Sequence, residues 1–191
     1  MKGRDGFKMG YNAQIGVDSK HKFIVFNEII NETNDTGSLD RNVKNQIEET
    51  GIRPKQIVAD KGYNVINQIK NLEENGIDCY VNQYQEDELM VKIPYFEEAN
   101  CFICPMNKVF TDDDKTKITD GVKYKLYKAN EYPNCKNCKF SYKCRISLKN
   151  INNLYLNPEY RFINYFKTKM KTSLAVSIID ERKEIVEHVF A

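Results

Sequence analysis

The sequence lacks any long apolar run, and this absence excludes one class of protein at the outset. A transmembrane helix needs about 18 or more consecutive apolar residues, and no such stretch is present. No apolar segment follows the charged start of the chain at residues 1–5, so a signal peptide is not predicted either. Internal repeats and low-complexity tracts are also missing. We therefore expect a cytoplasmic protein with one α/β domain and an insertion, for which 191 residues suffice.

The net charge of +2 hides a strong asymmetry along the chain. Between Lys115 and Ala175 there are 14 Lys or Arg residues against three Asp or Glu residues, whereas the rest of the chain has 15 against 24. This segment is either a surface that binds a polyanion or a solvated, lysine-rich surface. Its interleaved aromatic residues could stack on nucleic-acid bases, although such residues more often pack a small core.

Six cysteines in a cytoplasmic protein favour metal ligation or free thiols over disulfides. Two C-x2-C motifs are present, at Cys101–Cys104 and Cys135–Cys138. A zinc ion could take Cys104, Cys135 and Cys138 with either Cys144 or Cys101 as its fourth ligand. Zinc would replace a core in a segment too polar to form one. The alternative is that these are free or buried thiols.

The first 82 residues predict the element order β, β, α, β, α, β. Apolar runs over 11–17 and 21–30 predict an antiparallel hairpin. A helical stripe beginning at Leu39 ends at Gly51, and a second helix, capped by Asn64, ends at Gly76. The apolar runs 56–59 and 77–81 flank that second helix, so we expect a parallel strand pair.

The remaining sequence divides into an insertion and two helices. Residues 83–157 are polar, basic and rich in cysteine, and they predict short strands and turns, including an acidic turn at 112–114. Helical patterns return after Pro158 and again over 173–190, where Val176 and Ile179 belong to the apolar face. We therefore expect 1–82 and 158–191 to form an α/β core around an insertion at 83–157.

Two carboxylates in this pattern suit metal-dependent phosphoryl chemistry. Asp60 follows the apolar strand 56–59 and precedes a Gly turn, the position where α/β folds place functional groups. Glu187 lies on the last amphipathic helix, which could bring a second carboxylate to the same place. The alternative is that Asp60 caps a helix and that Glu187 is a solvated helix residue.

Four segments of the chain, in order, resemble the catalytic domain of a DDE-type insertion-sequence transposase. They are 10–14 (GYNAQ), 33–35 (TND), 57–63 (IVADKGY) and the stretch from Arg182 to Phe190. The resemblance implies an RNase H-like fold. One branch of that family has a similar cysteine pattern, and this favours the set Cys104, Cys135, Cys138 and Cys144.

The resemblance also implies a reaction and its site residues. The family holds two Mg²⁺ or Mn²⁺ ions with three acidic residues and uses them for phosphodiester hydrolysis and strand transfer on DNA. Asp60 matches the second Asp and Glu187 matches the Glu. DNA contacts are expected from the basic residue before the Glu, which is Arg182 or Lys183, and from the basic insertion. The latter residues are Lys136, Lys139, Lys143 and Arg145.

The family's first Asp has no match in this sequence, because the strand that carries it would fall before residue 1. Its absence would leave two halves of the sheet with unpaired inner edges, which invite association. We therefore expect this chain alone to be inactive and to pair with itself or with a polypeptide that supplies the strand. The alternatives are a non-catalytic nucleic-acid-binding module and an RNase H-like nuclease.

Overall fold

A computed structural model describes residues 2–3, 6–7, 11–32, 34–83, 90–119, 121–129, 135–144 and 153–190. At residues 2–3, 6–7, 136 and 187–190 it describes the backbone alone. The chain divides into two units. The core unit comprises Met1–Tyr84 and Phe162–Ala191, and the insertion unit comprises Gln85–Arg161.

The described residues form a mixed α/β structure. The strands before the insertion unit are β1 (Lys2–Gly3), β2 (Gly6–Phe7), β3 (Asn12–Val17), β4 (Ile24–Ile30), β5 (Gln56–Ala59) and β6 (Asp78–Val81). The helices are α1 (Leu39–Thr50), α2 (Ile66–Glu74), α3 (Tyr160–Lys169) and α4 (Ser173–Phe190). Among these residues, no helix is both long and apolar enough to cross a bilayer.

The predicted hairpin is present as the antiparallel pair β3–β4. The second strand begins at Ile24 rather than at His21, because the Asp18 carboxylate accepts the His21 backbone N–H at 2.6 Å. Lys22 adopts a positive φ of 62° in the same turn, and the Asp18 N–H donates to the Phe23 carbonyl. His21 is thus a turn residue and not the first residue of the strand.

The parallel strand pair is also confirmed, since β5 pairs with β6 in parallel and α2 connects them. Its apolar side chains form the centre of the core unit. Ile69, Cys79 and Val81 are fully buried there together with Phe166 of α3. Burial of this apolar surface is the main stabilising term of the unit.

One helix start differs from its prediction. Asn64 does not cap α2, because its N–H donates to the Lys61 carbonyl at 3.1 Å and closes the preceding turn. Val65 occupies the N-cap position and makes no side-chain capping bond. The ends of the first two helices agree with their predictions, because Gly51 and Gly76 adopt positive φ just after α1 and α2.

The insertion unit contains an antiparallel sheet in the order β11–β10–β9–β8–β7. Its strands are β7 (Tyr95–Phe96), β8 (Cys101–Ile103), β9 (Val109–Thr119), β10 (Val122–Ala129) and β11 (Asn153–Leu156). β9 and β10 have 11 and 8 residues, so the prediction of short strands is wrong for this central hairpin.

The predicted acidic turn at 112–114 is wrong as well, because these residues lie inside β9. Asp112 lies 3.4 Å from Lys125 Nζ and Asp113 lies 3.0 Å from Lys128 Nζ, both across the hairpin on β10. The strand is irregular at this point, because the pairing with β10 shifts register between Lys125 and Tyr127 and Asp114 has a φ of 53°. The Asp114 N–H donates to Asp112 Oδ1 at 3.0 Å.

The two C-terminal helices lie where the sequence predicts them, and Ile179 is half-buried as expected, but Val176 does not belong to the buried face of α4. Ala175 is fully buried, whereas Val176 is 52% exposed. α4 packs against β5 and β6. The helix therefore runs over the strand that leads to Asp60.

A partly buried ion cluster joins α3 to the α2–β6 region of the core unit. Lys169 Nζ contacts the carboxylates of Glu73 and Asp78 and lies 4.5 Å from the centre of the Tyr80 ring. Burial lowers the pKa of Lys169, but its hydrogen bonds to Asp78 and Glu73 outweigh this effect and raise the pKa overall.

We expect Lys169→Met to lower the free energy of unfolding by about 1–3 kcal/mol, because Glu73 would stay largely buried without its cation. Urea denaturation measures this change. Lys171→Met is the control, since Lys171 is exposed at the end of α3. Equal effects of the two substitutions would contradict a stabilising role for the cluster.

Candidate active site at the Asp60 turn

Asp60 lies directly after β5, at the carboxyl end of that strand. Its backbone is extended, and its Oδ1 accepts the Lys61 N–H at 2.7 Å at the start of a 3-10 turn over Lys61–Tyr63. The side chain is 50% exposed. Asp60 is therefore a turn-capping residue and an accessible carboxylate at once, so the two interpretations from the sequence are compatible.

A cation from α4 lies beside this carboxylate. Arg182 Nη2 is 3.9 Å from Asp60 Oδ1, and the Arg182 side chain is 24% exposed. Lys183, the other basic residue considered from the sequence, is 61% exposed and pairs with Asp180 on its own helix. Of these two residues, Arg182 is the one that the fold brings to Asp60.

Glu187 is placed by its backbone, in the last turn of α4. It follows Arg182 by five residues, which corresponds to about 7.5 Å along the helix axis and about 140° around it. The two residues therefore belong to different faces of α4. The Glu187 side chain lies outside the described part of the structure.

A hydrogen-bond network centred on Gln14 lies under the Asp60 turn. Gln14 is only 2% exposed, and its Nε2 donates to Asp35 Oδ1 at 2.7 Å and to Asn12 Oδ1 at 2.8 Å. Its Oε1 accepts the hydroxyl of Tyr63. Asn12 Nδ2 also donates to Asp35 Oδ1, at 2.9 Å. The network joins β3, the segment before α1 and the turn that follows Asp60.

Asp35 approaches Gly62 closely in this turn. A Cβ atom at Gly62 would lie 3.1 Å from Asp35 Oδ2 and 3.4 Å from Asp35 Cβ. Any larger residue would push the Asp35 carboxylate away from the turn. Asp35 thus lies against Gly62, which follows Asp60 by two residues in the sequence.

The pKa of the Tyr63 phenol depends on burial and on the charges around the Asp60 turn. Burial raises its pKa most, followed by the negative charge of Asp35; Arg182 lowers the pKa and Asp60 raises it again. The resulting pKa is about 12. The carboxylates of Asp35 and Asp60 therefore both raise the pKa of the partly buried Tyr63 phenol, and the charge of Arg182 only partly offsets them.

The insertion unit contains the other residues predicted from the sequence. The backbone description includes Lys136, whereas Arg145 lies outside the described residues. Lys139 Nζ and Lys143 Nζ lie 5.1 and 5.7 Å from the centre of the Phe140 ring. These lysines stay accessible while their charges are held against an aromatic face.

The four cysteines of the favoured set also lie in this unit. Burial raises the pKa of the Cys135 thiol, and negative charge at Cys144, Cys138 and Cys104 raises it further. Cys79 is fully buried in β6 of the core unit.

The sequence was compared with known protein families, and the family model described as transposase DDE domain matches residues 1–191. The chain belongs to this family. No curated protein and no solved structure matches the chain. The DDE family implies an RNase H-like fold, DNA as the macromolecular partner and the use of divalent metal ions.

The donor chemistry of the Asp60 turn fits the divalent ions that DDE transposases use. Carboxylate oxygens are the ligands that Mg²⁺ and Mn²⁺ prefer. Asp60 offers such a carboxylate, half-exposed and paired with the guanidinium of Arg182. Among the described side chains, no group of three His, Cys, Asp or Glu residues is already arranged around a metal position.

The sequence alone predicts no role for the residues that support the Asp60 turn. Asn12, Gln14, Asp35 and Tyr63 all fall within segments that carry the resemblance, yet nothing in their spacing predicts that they meet. The sequence did contain one sign of the network, because Gln14 occupies a strand position that faces the core, where an apolar residue is expected.

We expect Gln14→Leu to lower the free energy of unfolding by about 2 kcal/mol or more, because Asp35 and Tyr63 would lose a buried partner. Thermal and urea denaturation measure the loss. Gln56→Leu is the control, since Gln56 is exposed on β5. A Gln14→Leu variant with an unchanged free energy of unfolding would show that the network does not stabilise the turn.

The raised pKa of Tyr63 predicts a loss of stability at high pH. Below pH 10 the phenol is protonated in both states; between pH 10 and 12 the unfolded chain loses this proton while the folded chain keeps it. The free energy of unfolding should therefore fall more steeply over this range in the wild type than in Tyr63→Phe.

Urea denaturation at several pH values tests this expectation. Tyr11→Phe serves as the matched control, since Tyr11 is 75% exposed. Parallel curves for the wild type and Tyr63→Phe would mean that Tyr63 titrates normally.

Proposed function

We propose that this chain is a DDE transposase catalytic domain in which Asp60 and Glu187 hold a divalent ion for phosphodiester cleavage and strand transfer on DNA. The observation that carries the proposal is the position of α4. This helix contains Glu187 and packs against β5, the strand that leads to the Asp60 carboxylate. When bound, Mg²⁺ or Mn²⁺ would activate the attacking hydroxyl and stabilise the leaving oxygen.

The protein's own contribution is to hold Asp60 in place. The Lys61 N–H fixes Oδ1, while the contact between Gly62 and Asp35 and the hydrogen bond from Tyr63 to Gln14 fix the turn that follows. A carboxylate held in this way loses little conformational freedom when it takes up an ion, which favours binding.

Arg182 has a role that depends on the state of the site. Beside Asp60 it balances the negative charge of that carboxylate. With an ion at Asp60, the planar guanidinium would be released to contact a DNA phosphate, for which its geometry is well suited. Lys183, one residue further along α4, adds a second positive charge that is 61% exposed.

The insertion unit would supply the other DNA contacts. Lys139 and Lys143 lie over the Phe140 ring, and Lys143 also lies 5.5 Å from the centre of the exposed Tyr142 ring. Cations combined with accessible aromatic rings suit binding to phosphates and unpaired bases. Lys136 and Arg145 extend this set in the sequence.

Asp60 and Glu187 match two of the three carboxylates that the family uses. We therefore expect a weak metal site in this chain, with efficient strand cleavage requiring a third carboxylate in addition to these two. For this reason the deciding experiment measures metal binding rather than turnover.

Cleavage of the protein by hydroxyl radicals from Fe²⁺ and ascorbate tests the metal site directly, because a bound iron cuts the backbone beside it. Cuts are expected near residues 60 and 187, with suppression by excess Mg²⁺. Asp60→Asn and Glu187→Gln should each remove both cuts, whereas the control Asp180→Asn on the same helix should keep them. Cuts that persist in both variants would overturn the assignment.

Binding to DNA is expected to depend on salt through the lysines of the insertion unit. For the double variant Lys139→Ala/Lys143→Ala, the slope of log K against log salt should be less negative by about 2, because two phosphate contacts are lost. Fluorescence anisotropy with a labelled duplex measures the slope. A control double variant, Lys20→Ala/Lys55→Ala, removes two exposed lysines of the core unit.

The same two assays distinguish a DNA-binding module without metal chemistry. In that case DNA binding would be salt-dependent, yet no iron-dependent cut would occur near residue 60. Binding that does not respond to salt would contradict a phosphate-contacting role for the insertion unit.

A further inference from the structure

Three cysteines of the insertion unit pack against one cluster, although they are far apart in the sequence. Cys104 follows β8, whereas Cys135 and Cys144 belong to a segment of 3-10 turns beyond β10. All three pack against the same small cluster of Phe102, Phe110 and Tyr127. Two distant segments of the chain therefore present thiols at one place.

Cys138 belongs to the same group through its backbone and its charge. Its N–H donates to the Cys135 carbonyl at 3.3 Å, and its Sγ accepts the Phe140 N–H at 3.4 Å. A backbone N–H directed at sulfur stabilises a thiolate. Burial raises the pKa of Cys135 most, and negative charge at Cys144, Cys138 and Cys104 raises it further.

Cys104 lies at the corner of a tight turn. Its N–H donates to the Lys108 carbonyl at 3.0 Å, and its own carbonyl accepts the Asn107 N–H at 2.8 Å. Asn107 adopts a positive φ of 56°. The turn folds back on itself and leaves the thiol partly exposed beside the aromatic cluster.

Cys101 is excluded from this group by the fold. β8 holds it 5% exposed, opposite Thr111 of β9. The sequence allowed either Cys101 or Cys144 as a fourth member, and the positions of the side chains favour Cys144.

We propose that Cys104, Cys135, Cys138 and Cys144 bind one Zn²⁺ as four thiolates and thereby fix the segment 135–144 to the sheet. Zinc prefers four sulfur ligands in a tetrahedron, and C-x2-C loops supply such pairs. Because no three of the described side chains already surround a metal position, binding must draw the thiols closer together and release their protons.

The surroundings of the thiols favour such a complex. Four thiolates around Zn²⁺ carry a net negative charge, and Lys139 and Lys143 belong to the same short segment. The segment contains two 3-10 turns and the aromatic cluster has only three buried members in the described residues. A metal cross-link would supply the order that so small a core cannot.

Metal analysis of the full chain, purified under reducing conditions, should give about one zinc per chain. X-ray absorption should show about four sulfur neighbours at about 2.3 Å. Iron in place of zinc would support the four-thiolate site but overturn the choice of metal. Zinc with mainly nitrogen or oxygen neighbours, or no bound metal after reduction and reconstitution, would overturn the site.

Cysteine variants test which thiols are involved. Cys104→Ser and Cys144→Ser should each lower the affinity for Zn²⁺ at least tenfold in competition with a chelator, whereas Cys101→Ser should not. Loss of zinc from Cys101→Ser with retention in Cys144→Ser would overturn the assignment of the fourth ligand.

A second measurement avoids variants that fail to fold. Alkylation of the wild-type chain, mapped by mass spectrometry, should increase on addition of a zinc chelator at Cys104, Cys135, Cys138 and Cys144, but not at Cys79 or Cys101. Unchanged alkylation at the four thiols would contradict the proposal. The result is independent of Asp60 and of any activity on DNA.

Discussion

The core unit depends on the burial of one amide. Gln14 is nearly inaccessible, and an amide transferred out of water is unfavourable unless its hydrogen bonds are replaced. Here both ends of the amide are used, by Asp35 and Asn12 on one side and by the Tyr63 hydroxyl on the other. The network therefore ties the hairpin, the approach to α1 and the turn after β5 to one another.

That constraint explains how Asp60 can be both exposed and well placed. The turn that follows it is tied to buried polar groups through Tyr63, and it starts from β5, whose partner β6 is buried among the apolar residues of the core. The carboxylate itself stays half accessible. A rigid support under an accessible charged group is what a site needs if it is to hold an ion with little reorganisation.

The two units of the chain are stabilised in different ways. The core unit has a continuous apolar centre that includes Ile69, Val81 and Phe166. The insertion unit relies on a long charged hairpin and on a three-member aromatic cluster at Phe102, Phe110 and Tyr127. Its cysteines gather at the edge of that cluster, where a metal ion would add most to stability.

Local patterns sufficed for most elements of this fold. Apolar runs separated by Gly51 and Gly76 determine the parallel β5–α2–β6 unit, and alternation with a polar turn determines the hairpin. The predictions were wrong where pairing with a distant strand overrode the local pattern. The run Asp112–Asp114 indicated a turn, yet it lies inside β9, where Asp112 and Asp113 pair with lysines of β10.

By itself, the sequence determined the family, the order of the elements and the candidate role of Asp60, because these depend on short segments and their succession. The tertiary structure alone decided that Asp35 lies against Gly62 and that Arg182 rather than Lys183 reaches Asp60. These outcomes depend on contacts between residues far apart in the chain. Such contacts follow from how the elements pack, which spacing along the sequence does not specify.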